Sequence, residues 1–104
     1  MENNLYLSFG SNIGDRENNI KKALSLIQDK FSLIKLSSFY NTRPVGYLDQ
    51  PDFLNCAGYF KSTLSHEECL DFINHIENIL GRIRKIKNGP RIIDCDILYC
   101  GDMI

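Results

Sequence analysis

The sequence lacks the features that mark several specialised classes of protein. Its 12 basic and 13 acidic residues leave a net charge of −1, so the composition gives no reason to expect non-specific binding to nucleic acid. No apolar run approaches the length of about 20 residues that spans a membrane, and no signal peptide pattern precedes the first predicted strand. We therefore expect a cytoplasmic protein with no nucleic-acid or membrane partner.

Cysteine pairs of the metal-binding or redox kind are also lacking. None of the four cysteines forms a C-x-x-C pair, and cysteine and histidine do not cluster at zinc spacing. Each cysteine lies in an apolar context, which favours buried, reduced thiols in an intracellular protein. The four positions are Cys56, Cys69, Cys95 and Cys100.

The chain has 104 residues, no internal repeat and no low-complexity segment, which predicts one domain over residues 1–104. Alternating and helical apolar spacing predicts the element order βαββαβ. This is the ferredoxin-like arrangement, an α+β fold with a four-stranded antiparallel sheet and two helices on one face. The last strand then lies at a sheet edge. An apolar edge strand is prone to pair with other chains, so we expect more chain, a partner or a ligand to cover it. The predicted strands cover 5–9, 33–40, 53–64 and 94–99, and the helices run from 16 to 30 and from the Ser65–Glu68 capping box to near Gly81.

Two carboxylates stand on the last predicted strand. Asp94 and Asp96 are two residues apart, so both point to one face, roughly 6.6 Å apart along the strand, while Cys95 points to the other. Two acids on one face of an apolar strand are costly unless something neutralises them, and magnesium accepts carboxylate and phosphate oxygens. Taken alone, the pair could equally serve solubility at an edge or form salt bridges.

A basic cluster precedes the two carboxylates. Five of the 12 Lys and Arg residues lie between positions 82 and 91. By itself such a cluster is most often a solvated turn, but next to paired acids it indicates a site for nucleotide phosphates. The cluster consists of Arg82, Arg84, Lys85, Lys87 and Arg91.

Two other stretches carry weaker signals. The connection over 41–51 is rich in turn formers and longer than a hairpin needs, and long loops in compact domains are often functional. On the second helix, Leu70, Asn74 and Glu77 follow helical spacing beside the core stripe. Taken alone, this second stripe is simply a polar strip of the helix surface next to the core-facing side.

Several stretches together resemble one family, the 6-hydroxymethyl-7,8-dihydropterin pyrophosphokinases of folate biosynthesis. The resemblance spans the whole chain in the family's order, and the D-Q-P-D-F-L-N and G-P-R-x-x-D-x-D blocks are highly specific. The matching stretches are Phe9 to Asn12, Ser37 to Thr42, Asp49 to Asn55, Gly81 to Arg84 and Gly89 to Ile97.

The resemblance implies a reaction and its phosphate site. Members of the family transfer diphosphate from ATP to the pterin hydroxymethyl group and release AMP. By resemblance, Asp94 and Asp96 hold two Mg²⁺ ions, and Arg82 and Arg91 are the catalytic residues, within a basic segment that closes over ATP. Contacts to ATP are implied for Leu70, Asn74, Glu77, Arg84, Arg91 and Ile97.

The resemblance also implies a pterin site on the long connection and the third strand. Phe53 would stack on the ring, and Asn55 offers a donor and an acceptor to its edge. The backbone near Thr42, Pro44 and Val45 would form hydrogen bonds with the edge of the pterin ring. The substrates are thus two small molecules, ATP and the pterin.

Three departures from the family pattern affect these expectations. Asn74 is shorter than the glutamine common in relatives, and the basic segment lacks the tryptophan that some relatives carry. Family members also continue past this sequence with a P-H pair and an R-x-F element, so we expect a pyrophosphokinase domain whose C-terminal part is missing. Fusion to or association with dihydropteroate synthase is a further expectation.

Two alternatives from other classes remain open at this point. One is an inactive or incomplete remnant that binds MgATP or pterin without turnover. The other is a ferredoxin-like interaction or RNA-binding module, which the near-neutral charge and the lack of paired RNA-stacking aromatics disfavour.

Overall fold

The computed structural model describes residues 2–46, 48–81 and 90–101. Within these ranges the chain forms five strands and two helices. The strands are β1 (Asn3–Ser11), β2 (Ser32–Leu36), β3 (Tyr40–Thr42), β4 (Phe53–Ser62) and β5 (Asp94–Gly101), and the helices are α1 (Arg16–Ile27) and α2 (His66–Ile79).

The strands make one antiparallel sheet in the order β2-β4-β1-β5, with β3 also paired to β4. This order, with both helices packed on one face, is the ferredoxin-like α+β arrangement expected from the sequence. Strand β5 pairs with β1 alone among the described strands and so lies at an edge of the sheet.

The prediction of four strands was wrong by one, since the single strand expected over 33–40 is divided into β2 and β3. At the division, the Ser37 hydroxyl accepts the N–H of Ala57 at 2.8 Å, and the Ser37 N–H donates to the Ala57 carbonyl, also at 2.8 Å. A side chain thus takes the place of one backbone acceptor of the ladder. The register between β2 and β4 also shifts between Leu33 and Lys35.

The hydrophobic core lies between the helices and the sheet. Leu5, Leu7 and Phe9 alternate along β1 and are at most 1% exposed. The helices cover them with apolar stripes at the predicted spacing, as expected for amphipathic helices. The buried members of these stripes are Ile20, Ala23, Leu24 and Ile27 of α1 and Cys69, Ile73 and Ile76 of α2.

Both helices begin at sequence-readable caps. The Asp15 side chain accepts the N–H of Asn18 at 3.2 Å at the start of α1. At α2, Ser65 and Glu68 form the predicted reciprocal capping box, with bonds of 3.2 and 3.0 Å. These caps fix the residue at which each helix begins, whereas the right-handed crossovers place both helices on one face of the sheet and leave the other open.

Candidate active site

The open face of the sheet carries the polar side chains that alternate with the core residues. Along β1, Ser8 and Gly10 alternate with buried Leu7 and Phe9. Register places Gly10 between Asn55 of β4 and Asp94 of β5. Strands lie about 4.8 Å apart, so the main chains at Asn55 and Asp94 are separated by roughly 10 Å across Gly10.

A cleft of about 240 Å³ lies over this part of the sheet. It brings together seven of the residues predicted for substrate, phosphate or metal binding, from three separate parts of the chain. These seven are Thr42, Val45, Phe53, Asn55, Arg91, Asp94 and Asp96.

The two aspartates take the predicted arrangement. Asp94 and Asp96 both line the cleft, and Cys95 between them is 7% exposed and packs into the core. Burial raises the pKa of the Cys95 thiol well above its usual value, and the nearby carboxylate of Glu77 adds to the shift. Cys95 therefore stays a neutral thiol near pH 7, which leaves the two carboxylates as its charged neighbours on the cleft side of the strand.

Carboxylates of this kind fit magnesium. Asp94 is partly buried and Asp96 is exposed, so a hydrated ion could reach both from the cleft. Magnesium keeps several waters and is typically bound by one or two carboxylates together with substrate phosphates. Two carboxylates therefore suffice for such a site, and in the described ranges no cluster of three or more His, Cys, Asp or Glu side chains adds to them.

The side of the cleft formed by β3 and β4 is held together by hydrogen bonds around Asn55. Its Nδ2 donates to the Thr42 hydroxyl at 2.7 Å, which ties β4 to the end of β3. A Cβ atom placed on Gly10 would lie 2.9 Å from Asn55 Oδ1 and 3.5 Å from Phe53 Cδ1. The absence of a side chain at Gly10 is thus what lets Asn55 and Phe53 approach the centre of the sheet.

The long connection before β4 is anchored from α1. The Nη1 atom of Arg16 donates to Asn41 Oδ1 at 3.1 Å and to the Asp52 carbonyl at 2.9 Å. These bonds join the two ends of the connection, so Thr42 and Phe53 reach the same cleft. Pro44 lies between two cleft residues but is itself buried and does not line the cleft.

The predicted residues of α2 lie outside this cleft. Leu70 is 46% exposed and Asn74 is exposed, whereas Glu77 is 2% exposed. The Glu77 carboxylate accepts the N–H of Cys95 at 2.9 Å. Because the three residues share one helical stripe, this stripe runs along the side of α2 that meets β5.

Three further predicted residues need separate mention. Ile97 is on β5, partly buried against the core and outside the cleft lining. Arg82 and Arg84 lie outside the described residues, together with most of the basic segment predicted to close over ATP.

Sequence reasoning missed four residues that line the cleft, namely Ser8, Phe9, Gly10 and Arg43. Ser8 and Gly10 alternate with Leu7 and Phe9, so the period of the predicted strand could have assigned both to the open face. Arg43 follows Thr42 in the long connection, where no periodic pattern indicates direction.

Comparison with known proteins identifies the family. The family model for 7,8-dihydro-6-hydroxymethylpterin-pyrophosphokinase matches residues 6–104. A 2-amino-4-hydroxy-6-hydroxymethyldihydropteridine pyrophosphokinase of Bacillus subtilis is 46% identical over 100 residues, covering 94% of this chain and 60% of the relative.

Longer relatives match as well. A folic acid synthesis protein of Dictyostelium discoideum is 38% identical over 102 residues, which cover 98% of this chain and 16% of the relative. A mitochondrial folate synthesis bifunctional protein of Arabidopsis thaliana is 40% identical over 103 residues, covering 98% of this chain and 19% of the relative. The chain thus spans at most 60% of the length of these three relatives.

Proposed function

This chain belongs to the 7,8-dihydro-6-hydroxymethylpterin-pyrophosphokinase family, and from that premise we propose that it transfers diphosphate from ATP to 6-hydroxymethyl-7,8-dihydropterin in folate biosynthesis. One observation carries the proposal: Asp94 and Asp96 share an open cleft with Phe53 and Asn55. This arrangement supports a metal-phosphate site on the β5 side of Gly10 and a site for a flat heterocycle on its β4 side.

The proposed reaction is an in-line displacement at the β-phosphorus of ATP. The pterin hydroxymethyl oxygen forms a new bond to the β-phosphorus. The bond between the β-phosphorus and the oxygen that joins it to the α-phosphate breaks, and AMP leaves with that electron pair. The hydroxymethyl proton passes to solvent. Catalysis of this kind rests on positioning and on electrostatic stabilisation of the phosphoryl oxygens.

We assign the phosphate side to Arg91, Asp94 and Asp96. Two magnesium ions, when bound by the aspartates, supply positive charge against the triphosphate. The planar guanidinium of Arg91 suits bidentate contacts with phosphate oxygens. The family resemblance extends the same role to Arg82 and Arg84.

The pterin side is assigned to Phe53, Asn55 and the segment from Thr42 to Val45. Phe53 stacks on the heterocycle, which requires only an aromatic face. Asn55 offers an amide acceptor and donor to the ring edge, and its bond to Thr42 at 2.7 Å holds it in place.

The nucleotide is proposed to extend past the β5 edge. Leu70 and Asn74 are exposed on the helical stripe that flanks this edge, and Ile97 lies on the strand itself. Glu77 on the same stripe is proposed to support the nucleotide site through β5, whose Cys95 N–H it binds.

Two further proposals concern the surroundings of the protein. Free cysteines among the described residues support a cytoplasmic location, where thiols stay reduced. The part of the chain that the structure describes contains no helix long and apolar enough to cross a membrane. Some relatives are named bifunctional, which supports association with a second enzyme of folate synthesis, such as dihydropteroate synthase.

The deciding experiment measures AMP release from ATP by this 104-residue chain with magnesium, with and without 6-hydroxymethyl-7,8-dihydropterin. We expect AMP release that requires both the pterin and magnesium and that stops when EDTA is added. Binding of MgATP and pterin without AMP release would instead make the chain a binding remnant. Failure to bind either ligand would contradict the assigned cleft.

A further inference from the structure

The side chain of Asn12, just after β1, makes an unusual set of contacts. Asn12 is only 2% exposed although it is polar. Its backbone N–H donates to the Arg91 carbonyl at 3.0 Å, and its Oδ1 accepts the Arg91 N–H at 2.8 Å. Since Arg91 has one backbone donor and one backbone carbonyl, Asn12 binds both main-chain polar groups of that residue.

The same side chain also binds the other side of the cleft. Asn12 Nδ2 donates to Gln50 Oε1 at 2.8 Å and to the Pro51 carbonyl at 3.0 Å. A primary amide has two N–H donors, so this pair of contacts uses both. Pro51 stands two residues before Phe53 and fixes how the chain enters β4.

The residues held by Asn12 belong to the two halves of the proposed site. Arg91 leads into the strand with Asp94 and Asp96, and Pro51 leads into the strand with Phe53 and Asn55. Asn12 does not line the cleft itself. It can therefore act on the reaction only through the segments that it connects.

We propose that Asn12 is a positioning residue that fixes the phosphate side of the cleft relative to the pterin side. This inference rests on the proposed function. An asparagine is suited to the position because its amide presents an acceptor to Arg91 and two donors to Gln50 and Pro51 at once. Aspartate keeps the acceptor but loses both donors, and alanine loses all three side-chain contacts.

The test compares Asn12→Ala and Asn12→Asp with the matched control Asn3→Ala. Asn3 is the first residue of β1, and its Nδ2 donates to the Leu64 carbonyl at 3.0 Å, at the opposite end of β1 from the cleft. The control therefore also removes a side-chain bond to a carbonyl distant in sequence. Its turnover is expected to equal that of the wild type.

The first measurement is kcat and KM for AMP release by the full 104-residue chain, with MgATP and pterin each varied while the other is saturating. Misplacement of one half of a site by about 1 Å can cost about 100-fold in rate, so we expect kcat of Asn12→Ala to fall about 100-fold. We expect the KM values to change less, because each half keeps its own ligand contacts. A merely structural role would lower the amount of folded protein and leave kcat per folded molecule unchanged.

The second measurement is backbone hydrogen exchange, which does not depend on turnover. In Asn12→Ala, we expect faster exchange in the segments 50–55 and 90–96, with the two helices unchanged. Asn12→Asp should accelerate exchange in 50–55 only, because Oδ1 still accepts the Arg91 N–H. The control should change neither segment.

The outcomes separate this inference from the proposed function. If the wild type releases no AMP, the proposed function fails, and the exchange pattern still decides whether Asn12 joins the two segments. If the wild type is active and Asn12→Ala retains its kcat, the positioning role is overturned while the proposed function stands. Exchange that rises equally in the helices and in both segments would also overturn it, since Asn12 would then only stabilise the fold.

Discussion

At the scale of the residue, Asp94 and Asp96 are the groups on which the phosphate chemistry is proposed to depend. Asparagine at either position keeps the shape of the side chain and removes its charge. Because metal-ion stabilisation is worth several kcal/mol and each 1.36 kcal/mol is tenfold in rate, Asp94→Asn or Asp96→Asn should reduce AMP release by at least about 100-fold. Asp71→Ala on the exposed face of α2 is the control and should retain activity.

A binding measurement checks the same prediction without turnover. A ligand at 100 times its dissociation constant stabilises the folded state by about 2.7 kcal/mol. MgATP should therefore raise the thermal midpoint of the wild type in calorimetry, and EDTA should reverse the rise. An equal rise with MgATP in Asp94→Asn would contradict the metal assignment.

Gly10 supports a prediction of a different kind, because its effect is steric. In Gly10→Ala the new Cβ would lie 2.9 Å from Asn55 Oδ1, so Asn55 must move while the sheet persists. We expect pterin affinity, measured by fluorescence titration, to fall about as far as in Asn55→Ala. The double variant should lose little more than Asn55→Ala, because coupled neighbours are not additive. Fully additive losses would show that Gly10 acts independently of Asn55.

At the scale of the element, α2 connects the capping box at its start to the edge strand near its end. The carboxylate of Glu68 accepts the backbone N–H of Ser65, a bond that lowers the pKa of Glu68, and the Ser65 hydroxyl caps the helix in return. Near the other end, Glu77 binds the backbone of β5. The helix therefore orients the strand that carries the two aspartates, although α2 lies outside the cleft.

Removing the cap should cost stability and leave the chemistry intact. Loss of a serine N-cap destabilises by about 1 kcal/mol, which we expect for Ser65→Ala in urea unfolding. Ser25→Ala, at an exposed position inside α1, is the matched control and should change the free energy of unfolding by less than about 0.5 kcal/mol. Equal effects of the two variants would mean that the capping box contributes nothing to α2.

The elements also show how far the sequence alone could lead. Apolar period and caps were enough to predict both helices, and the i, i+2 spacing was enough to place Asp94 and Asp96 on one face. The division between β2 and β3 was not predictable, because it depends on the Ser37 hydroxyl meeting Ala57 across the sheet. Contacts of this kind exist only once the register is set.

The candidate site, too, was predictable from the sequence only in part. Motif resemblance predicted a site with Phe53 and Asn55, and the structure brings these two residues into one cleft with the aspartates. The strand period could have assigned Gly10 to the open face, but its close approach to Asn55 was not predictable. That approach and the contacts of Asn12 depend on distances between segments far apart in the sequence, which no spacing rule reveals. For Leu70 and Asn74, helical spacing gave the stripe but not its position beside β5.

At the scale of the whole molecule, a small core must support a sheet that is covered by helices on one face. A row of tyrosines crosses the other face away from the cleft, with Tyr6 stacked on Tyr59 at 4.8 Å and edge-on to Tyr99 at 6.2 Å. These rings and the cleft share one surface. The core lies on the helical side of the sheet, and the candidate active site lies on the open side.

The core makes stability depend on pH in the alkaline range. Burial raises the pKa of the Cys56 thiol from 9.0 to about 11. Between these values the folded chain keeps a proton that the unfolded chain loses, so the free energy of unfolding should fall as pH rises from about 9 to about 11. Below that window the thiol is protonated in both the folded and the unfolded state, so Cys56 no longer contributes to the slope of the free energy of unfolding against pH.

Denaturant unfolding across this pH range checks the prediction. Cys56→Ala lowers stability at every pH by leaving a small cavity, but its decline with rising pH should be shallower than that of the wild type. Parallel declines in the two proteins would show that Cys56 does not contribute to the alkaline loss.

The placement of helices and cleft on opposite sides of the sheet has a practical consequence for handling this protein. Lys22 is exposed on α1, on the side away from the cleft. A surface, a dye or a tether attached to its amine should leave the cleft on the other face of the sheet open. The helical side is therefore the side through which the protein can be immobilised or labelled while ligand binding to the cleft is measured.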